Sequence, residues 1–137
     1  VRTSMGHVIS VPILRVADWK KGLTKNDNDR YDSKDNGLAG CLRWLREQNN
    51  VECFAAVVDD EKKKDFPPLV TLEAALNCGG GRSWCCVLGN EGNGICDEVI
   101  QECDKRLKIG MASCVDSLSL PIAAGILMHG LSSRSLD

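Results

Sequence analysis

The sequence of 137 residues has the length of one domain, carries a formal net charge of −2, and is 43% hydrophobic and 26% charged. This composition is typical of a globular protein and excludes a chain that is disordered throughout. The net charge also argues against a stand-alone nucleic-acid-binding protein, which needs concentrated Lys and Arg for phosphate contacts. The longest apolar run, residues 118–131, is shorter than the ~20 residues that span a bilayer, so we predict no transmembrane helix.

The first half of the chain alternates strand and helix patterns. His7–Val16 is rich in β-branched residues and is predicted to form a buried strand. Trp19–Asn36 is dense in Lys, Asn and Asp, cannot bury enough apolar surface to order itself, and is predicted to be a mobile insertion. Gly37–Gln48 carries leucines at helical spacing and predicts an amphipathic helix, and Glu52–Val58 predicts a second strand.

The second half repeats this alternation. Thr71–Leu76 predicts a short helix with Thr71 as its cap, and Trp84–Leu88 predicts an apolar strand. Apolar residues between Ile95 and Leu107 share one face of a predicted helix, and Lys108–Met111 is a candidate brief strand. Leu120–Leu131 is apolar on nearly every face, which predicts a buried last helix. Strands that alternate with helices indicate an α/β domain with a parallel sheet.

Eight cysteines raise the question of disulfides or a metal site, but none are spaced as CxxC and the only histidines are His7 and His129. Most of the cysteines lie in apolar segments such as WCCVLG, where a free thiol behaves as a small hydrophobe. We therefore predict no metal and an intracellular, reducing compartment, with cytoplasm and organelle both open. We expect neither histidine to be a catalytic base, since His129 lies in an apolar helix and His7 opens a strand.

A glycine-rich loop, Gly89-Asn90-Glu91-Gly92-Asn93-Gly94, joins the strand at Trp84–Leu88 to the following helix. It matches neither the dinucleotide pattern GxGxxG nor a P-loop. A carboxylate in the loop, Glu91, also disfavours a polyanionic ligand, because it would repel phosphate oxygens. The glycines would let the backbone approach another kind of ligand closely. A tight turn with three glycines at positive φ explains the same pattern.

Two ordered segments, LGNEGNGI (88–95) and IGMASCVDSLSLPIAAGIL (109–127), closely resemble the second and third signature motifs of the SpoU, or TrmH-like, RNA 2′-O-ribose methyltransferases of the SPOUT superfamily. A third, RTSMGHVISVP (2–12), is similar to the serine-glycine segment before a core strand in that family. The resemblance implies that residues 1–137 form the C-terminal portion of one SpoU-type domain, without its N-terminal part. It also implies a parallel sheet flanked by helices and a C-terminal trefoil knot, a rare exception among folds.

The resemblance implies S-adenosyl-L-methionine as the cofactor, held bent by the knot loops largely through backbone contacts. Eight residues occupy the positions that bind it in the family: Leu88, Gly89, Asn90, Gly92, Ile109, Met111, Ser117 and Leu118. The apolar members of this set suit adenine, which needs an apolar slot with a few polar partners.

The resemblance also implies catalytic roles for Glu91, Ser117 and Ser119. Glu91 matches a glutamate that helps to order the site at the dimer interface, although a carboxylate here also suits the dipole of the helix that starts near Ile95. Ser117 matches a serine near the cofactor and the target ribose, and a turn or helix-cap role is equally compatible. Ser119 stands where the family usually has asparagine, and it lacks that side chain's paired donors and acceptor.

The function that the resemblance implies is methylation of a ribose 2′-hydroxyl by a homodimer, with ribosomal RNA favoured over transfer RNA as the substrate. The family's first motif, NxGxxxR, supplies an arginine that activates this hydroxyl; Arg2 does not match it, so it is expected before Val1. Since general-base help contributes ~10²- to 10⁴-fold, we expect this chain alone to be inactive. The alternative is a non-catalytic, degenerate knot domain that docks RNA or protein. A small nucleotide-binding regulator has only the glycine loop in its favour.

Overall fold

The computed structural model describes residues 37–58, 65–77, 82–90, 92–115 and 117–134. The predicted strand at His7–Val16 and the predicted insertion at Trp19–Asn36 lie outside the described residues. The chain divides into two compact units, Val1–Cys41 and Leu42–Asp137, and the whole sheet belongs to the second unit.

The described residues form four strands and four helices. The strands are β1 (Glu52–Ala56), β2 (Leu69–Thr71), β3 (Trp84–Val87) and β4 (Lys105–Lys108). The helices are α1 (Gly37–Asn49), α2 (Leu72–Asn77), α3 (Asp97–Gln101) and α4 (Leu120–Ser133). All neighbouring strands pair in parallel, in the order β2-β4-β1-β3. The predicted α/β class with a parallel sheet and flanking helices is confirmed; the trefoil knot stays a prediction.

The core lies on the face of the sheet that α2 and α4 cover. Phe54 of β1 and Leu107 of β4 are fully or almost fully buried there, against Leu72 and Ala75 of α2. Leu127 and Leu131 of α4 complete this cluster. Because side chains alternate along a strand, the neighbours of Phe54 point to the opposite face, where Cys53 is also buried.

Two arginines of α1 join that helix to the turn before β4. Arg43 forms an ion pair with Glu102, and the Nε of Arg46 donates to Asp104 at 3.1 Å. The second oxygen of Asp104 accepts a hydrogen bond from the backbone N–H of Cys53 at 2.8 Å. These bonds connect the helix, the turn and β1, so that the start of β4 has a fixed position beside β1.

The region between β1 and β3 contains a strand that the sequence pattern does not predict. β2 is only three residues long and follows Pro67 and Pro68, so it shows no alternation of its own; its pairing with β4 defines it. The predicted helix cap is confirmed, because the hydroxyl of Thr71 accepts a hydrogen bond from the N–H of Ala74 at 3.2 Å.

The prediction that one helix carries Ile95 to Leu107 was wrong in its second half. α3 ends at Gln101, and the N–H of Asp104 already bonds to the carbonyl of Cys53 at 2.8 Å. Leu107 therefore lies in β4, and the strand begins three residues before the predicted Lys108. Leu107 falls at helical spacing from Cys103, but pairing with β1 and β2 determines its conformation.

The prediction that the last helix is buried all round was also wrong. Leu127, Gly130 and Leu131 are buried, whereas Ile122 and Met128 are 56% and 55% exposed. His129 is exposed as well, not a core residue as expected. The described part of the chain thus leaves one apolar face of α4 uncovered. It contains no helix with the length and apolar character needed to cross a membrane.

Candidate active site

An open cleft of about 1160 Å³ lies at the carboxyl edge of the sheet. The segments that follow three strands line it: Val57 and Val58 after β1, Leu88–Asn90 after β3, and Ile109–Ser113 after β4. In open parallel sheets ligands bind at this edge. The volume exceeds the range of about 300–1,000 Å³ of ordinary small-molecule pockets, so the cleft has room for more than one small group.

The glycine loop is closed by its own backbone and by the side chain of Asn90. The N–H of Gly94 bonds to the carbonyl of Asn90 at 3.1 Å. The side-chain oxygen of Asn90 accepts hydrogen bonds from the N–H groups of Gly92 at 3.0 Å and Asn93 at 2.6 Å. Asn90 therefore holds a compact turn directly after β3, at the mouth of the cleft.

The three glycines of the loop have different structural roles. A Cβ on Gly89 would lie 2.4 Å from the carbonyl carbon of Gly94, so the loop can close only if residue 89 has no side chain. Gly94 has a φ of +66°, which L-residues other than glycine rarely adopt. A Cβ on Gly92 would meet only the side-chain oxygen of Asn90 at 3.6 Å, an ordinary contact. The alternative of three glycines at positive φ is thus wrong, because only Gly94 of the three has one.

The segment between β4 and α4 lies opposite the glycine loop. A turn forms where the N–H of Val115 bonds to the carbonyl of Ala112 at 2.9 Å. Ser119 is the N-cap residue of α4, and its carbonyl accepts a hydrogen bond from the N–H of Ala123 at 3.0 Å. Pro121 occupies the first turn, as predicted. The Ser119 hydroxyl makes no capping hydrogen bond within the described residues, and Ser119 lines the cleft.

The structure brings most of the predicted site residues together. Seven of the eight predicted cofactor residues line the cleft, as does Ser119: Leu88, Gly89, Asn90, Ile109, Met111, Ser117 and Leu118. Gly92 belongs to the loop but does not line the cleft. Glu91 lies outside the described residues. The positions agree with a shared site, whereas the individual roles of these residues stay predictions.

The cleft has the chemical character that S-adenosyl-L-methionine requires. Leu88 and Met111 are each 37% exposed and Val115 is 39% exposed, so apolar side chains stand open beside one another. The N–H groups of Gly89, Gly110 and Met111 make no backbone–backbone hydrogen bond within the described residues. An aromatic base with polar edges needs such apolar walls with a few backbone partners. The residues present therefore fit this cofactor.

Sequence reasoning missed two cations of the cleft, Arg106 and Lys108 of β4. Arg106 is 5% exposed, and its Nε donates to the carbonyl of Pro67 at 2.8 Å, while its guanidinium lies 5.9 Å from the ring of Phe66. The available signal was alternation, since both cations share the face of β4 opposite Leu107. That signal was hidden because Arg106 and Leu107 were assigned to a helix and only Lys108 to a strand.

The described residues contain no group of three or more His, Cys, Asp or Glu side chains that could hold a metal ion. The free thiols of β1 and β3 lie away from the cleft, because neither Cys53 nor Cys85 lines it. Among the described residues, the cleft presents backbone N–H groups, serine hydroxyls and two cations.

The fold and the cleft together define an α/β protein with a ligand site at the carboxyl edge of a parallel sheet, between a glycine loop and the start of the last helix. The chain belongs to the SpoU rRNA Methylase family, whose model matches residues 1–129. The family predicted from the two motifs is thereby confirmed.

The chain is similar to two further proteins. Over 92 residues the chain is 40% identical to YacO of Bacillus subtilis, which is named as a TrmH family tRNA/rRNA methyltransferase; the match covers 67% of this chain and 33% of YacO. A solved structure from Porphyromonas gingivalis, described as an RNA methyltransferase of the TrmH family, is 25% identical with a TM-score of 0.48. It covers 69% of this chain and 34% of its own. The chain therefore spans about a third of the length of each relative.

Proposed function

We propose that this protein is an S-adenosyl-L-methionine-dependent RNA 2′-O-ribose methyltransferase, with ribosomal RNA as the favoured substrate and transfer RNA as the second candidate. The observation that carries the proposal is the cleft, where two family motifs that are distant in sequence meet. YacO, which is named as acting on tRNA or rRNA, supports RNA as the substrate. The family membership and the predominance of free thiols within apolar segments agree with an intracellular, reducing compartment.

The cofactor, when bound, would supply a methyl group on a positively charged sulfur for transfer to a ribose 2′-oxygen. The chain's own residues bind the cofactor and orient the ribose. The apolar side chains of Leu88 and Met111 would exclude water from one ligand, and backbone N–H groups that make no backbone–backbone hydrogen bond within the described residues would bind its polar edges. The hydroxyls of Ser117 and Ser119, which line the same cleft, can each donate and accept one hydrogen bond to the ribose. Arg106 and Lys108 supply positive charge for a neighbouring phosphate.

Turnover is tested with the protein at its natural length, tritiated S-adenosyl-L-methionine and ribosomal RNA. We expect label in RNA and a phosphodiester bond that resists alkaline hydrolysis, because a methylated 2′-oxygen cannot attack the adjacent phosphate. Ser117→Ala should lower the rate about tenfold, the effect of losing one hydrogen bond of ~1.4 kcal/mol in the transition state. Ser133→Ala is the matched control, since its hydroxyl bonds to the carbonyl of His129 outside the cleft.

Alkali-sensitive RNA with no label would contradict the proposal. If the protein then still bound RNA without transferring methyl groups, the second candidate would hold, a non-catalytic module that docks RNA. If Ser117→Ala and Ser133→Ala formed methylated RNA at equal rates, Ser117 would have no role in the reaction. The proposed activity itself would still stand.

We also propose that the protein is a homodimer through the uncovered face of α4. Ile122, Ile126 and Met128 are 56%, 38% and 55% exposed on a helix whose first turn lines the cleft. A second copy would cover this apolar surface and complete the site from the other side. Sedimentation should give a dimer mass for the wild type and a monomer for Ile122→Asp, whose carboxylate suits the helix N-terminus and so preserves the fold. A wild-type monomer at micromolar concentration would contradict the dimer.

A further inference from the structure

Two free thiols face each other on neighbouring strands, on the side of the sheet opposite the core. Cys53 of β1 and Cys85 of β3 are register partners in the parallel ladder. Cys53 is fully buried and Cys85 is half-buried. Cys86, the next residue along β3, points the other way and packs against the core cluster of Phe54. Only one of two adjacent cysteines of β3 therefore lies beside Cys53.

The spacing of these two residues is compatible with a disulfide. Paired residues on neighbouring strands lie about 4.7–4.9 Å apart, within the range of about 4.4–6.8 Å between the Cα atoms of bonded cysteines. The neighbouring side chains of Cys53 and Cys85 interact, which lowers the pKa of Cys85 against the opposing effect of burial and, together with burial, raises the pKa of Cys53. The Cys53 thiol itself donates a weak hydrogen bond to the carbonyl of Val51 at 3.9 Å. Cys85 is thus both the more accessible and the more reactive sulfur.

We propose that Cys53 and Cys85 form a reversible dithiol–disulfide site that hydroperoxides oxidise. The thiolate of Cys85 attacks one peroxide oxygen, the oxygen–oxygen bond breaks, and the leaving hydroxide takes up a proton to become water. The sulfur of Cys53 then attacks the resulting sulfenic acid of Cys85, the sulfur–oxygen bond breaks, and a second water leaves with the proton of Cys53. Two thiols lose two electrons in total, and one hydrogen peroxide is reduced to two waters.

The disulfide would change the cleft through the two strands that it joins. Bonded cysteines need Cβ atoms about 3.5–4.5 Å apart, so the ladder must contract locally between β1 and β3. The segment after β1 contains Val57 and Val58, and the loop after β3 begins at Leu88. Both segments line the cleft. Oxidation therefore displaces two walls of the cleft relative to each other. A bond that strains the sheet is also readily reduced, which makes the site reversible.

The bond itself is tested by mass spectrometry of the peroxide-treated full chain, digested with trypsin without reduction. We expect the peptide Glu47–Lys62, which contains Cys53 as its only cysteine, to be linked to the peptide Ser83–Lys105, which contains Cys85, Cys86, Cys96 and Cys103. Fragmentation of the linked wild-type species should place the bond at Cys85. Cys85→Ser should abolish the link to Cys53, and the matched Cys86→Ser variant should keep it. A Cys53 link that persists in Cys85→Ser, that maps to another cysteine, or that never forms would overturn the proposal.

The functional consequence rests on the proposed cofactor site and has a separate measurement. Oxidation should weaken the binding of S-adenosyl-L-methionine at least about fivefold, the lower end of ordinary coupling between sites, and dithiothreitol should restore it. Because the linked peptide is detected without the cofactor, failure of the proposed function leaves that result intact. If the disulfide forms but the affinity for S-adenosyl-L-methionine is unchanged, the proposed effect on the cleft is overturned. The disulfide itself would still stand.

Discussion

Replacing Gly89 with alanine is expected to abolish tight binding of S-adenosyl-L-methionine, whereas the same replacement at Gly92 should have little effect. The added Cβ at residue 89 would meet three backbone atoms of Gly94 at 2.4–2.7 Å, and no side-chain rotation relieves contacts with the main chain. The loop must then open at the hydrogen bond between Gly94 and Asn90, which removes one wall of the cleft. Overpacking of this kind costs ~1–3 kcal/mol, so we expect roughly 10- to 100-fold weaker binding.

Gly92→Ala is the matched control because it lies in the same loop and gains the same methyl group. Its Cβ would meet only the side-chain oxygen of Asn90 at 3.6 Å, and Gly92 does not line the cleft. Calorimetric titration of both variants with S-adenosyl-L-methionine should show weaker binding for Gly89→Ala alone. Equal affinities for the two variants would show that the closed loop is not needed for the ligand.

Replacing Glu52 with glutamine is expected to destabilise the fold by about 3 kcal/mol at neutral pH, the lower end of the range for removing one partner of a buried ion pair. The carboxylate of Glu52 bonds to Lys105 and to Arg134, each at 2.9 Å, and it is 8% exposed. Both cations also lie near the ring of Phe54, at 6.0 and 5.3 Å from its centre. Without the carboxylate, Arg134 is left as a buried charge at the end of α4.

The stability that Glu52 contributes should depend on pH in a definite direction. Burial raises its pKa, but the hydrogen bonds and charges of Lys105 and Arg134 outweigh burial and hold the pKa below the usual 4.5. A carboxyl group with a depressed pKa in the folded state contributes its full stability above the pKa of the unfolded chain. That contribution is lost as the pH falls through the folded value. The wild type should therefore lose more stability than Glu52→Gln between pH 5 and 3, because the variant has no carboxyl group to protonate at this position.

Urea unfolding at pH 7, 5 and 3, followed by tryptophan fluorescence, measures both effects. Arg43→Gln serves as the control, because its ion pair with Glu102 is partly exposed and such pairs contribute ~0–1 kcal/mol. If the difference in the free energy of unfolding between wild type and Glu52→Gln stayed constant from pH 7 to 3, it would contradict the assigned role of the carboxylate. Since α4 begins at the cleft and ends at Arg134, the same variant should also weaken ligand binding.

The elements that the sequence predicts well are those whose pattern is set by burial on a single face. The amphipathic α1, the apolar β1 and β3, and the cap at Thr71 agree with the structure within a few residues. The strand β2 could not be predicted, because three residues are too few to show a period and their conformation depends on pairing with β4. The end of α3 was misplaced for a related reason: Cys103 and Leu107 fit a helical spacing, although a hydrogen bond to β1 already starts the next strand at Asp104.

Motif resemblance grouped the candidate site residues, which residue patterns alone did not. The residues around Gly89 and Ser117 could be grouped only because two segments resembled ordered motifs of one family, and the structure places both groups on one cleft. The cations Arg106 and Lys108 lay outside those motifs and were missed. The exposed face of α4 was missed because hydrophobicity alone does not distinguish a core helix from one with an exposed apolar face.

Calorimetric titration of the wild-type chain with S-adenosyl-L-methionine tests whether the cleft at the carboxyl edge of the sheet binds this cofactor. We expect saturable binding with one ligand per chain, competition by S-adenosylhomocysteine, and no competition by ATP, because the proposed ligand is an adenosine without phosphates. The absence of heat from S-adenosyl-L-methionine with a folded chain, or displacement by ATP as readily as by S-adenosylhomocysteine, would contradict it.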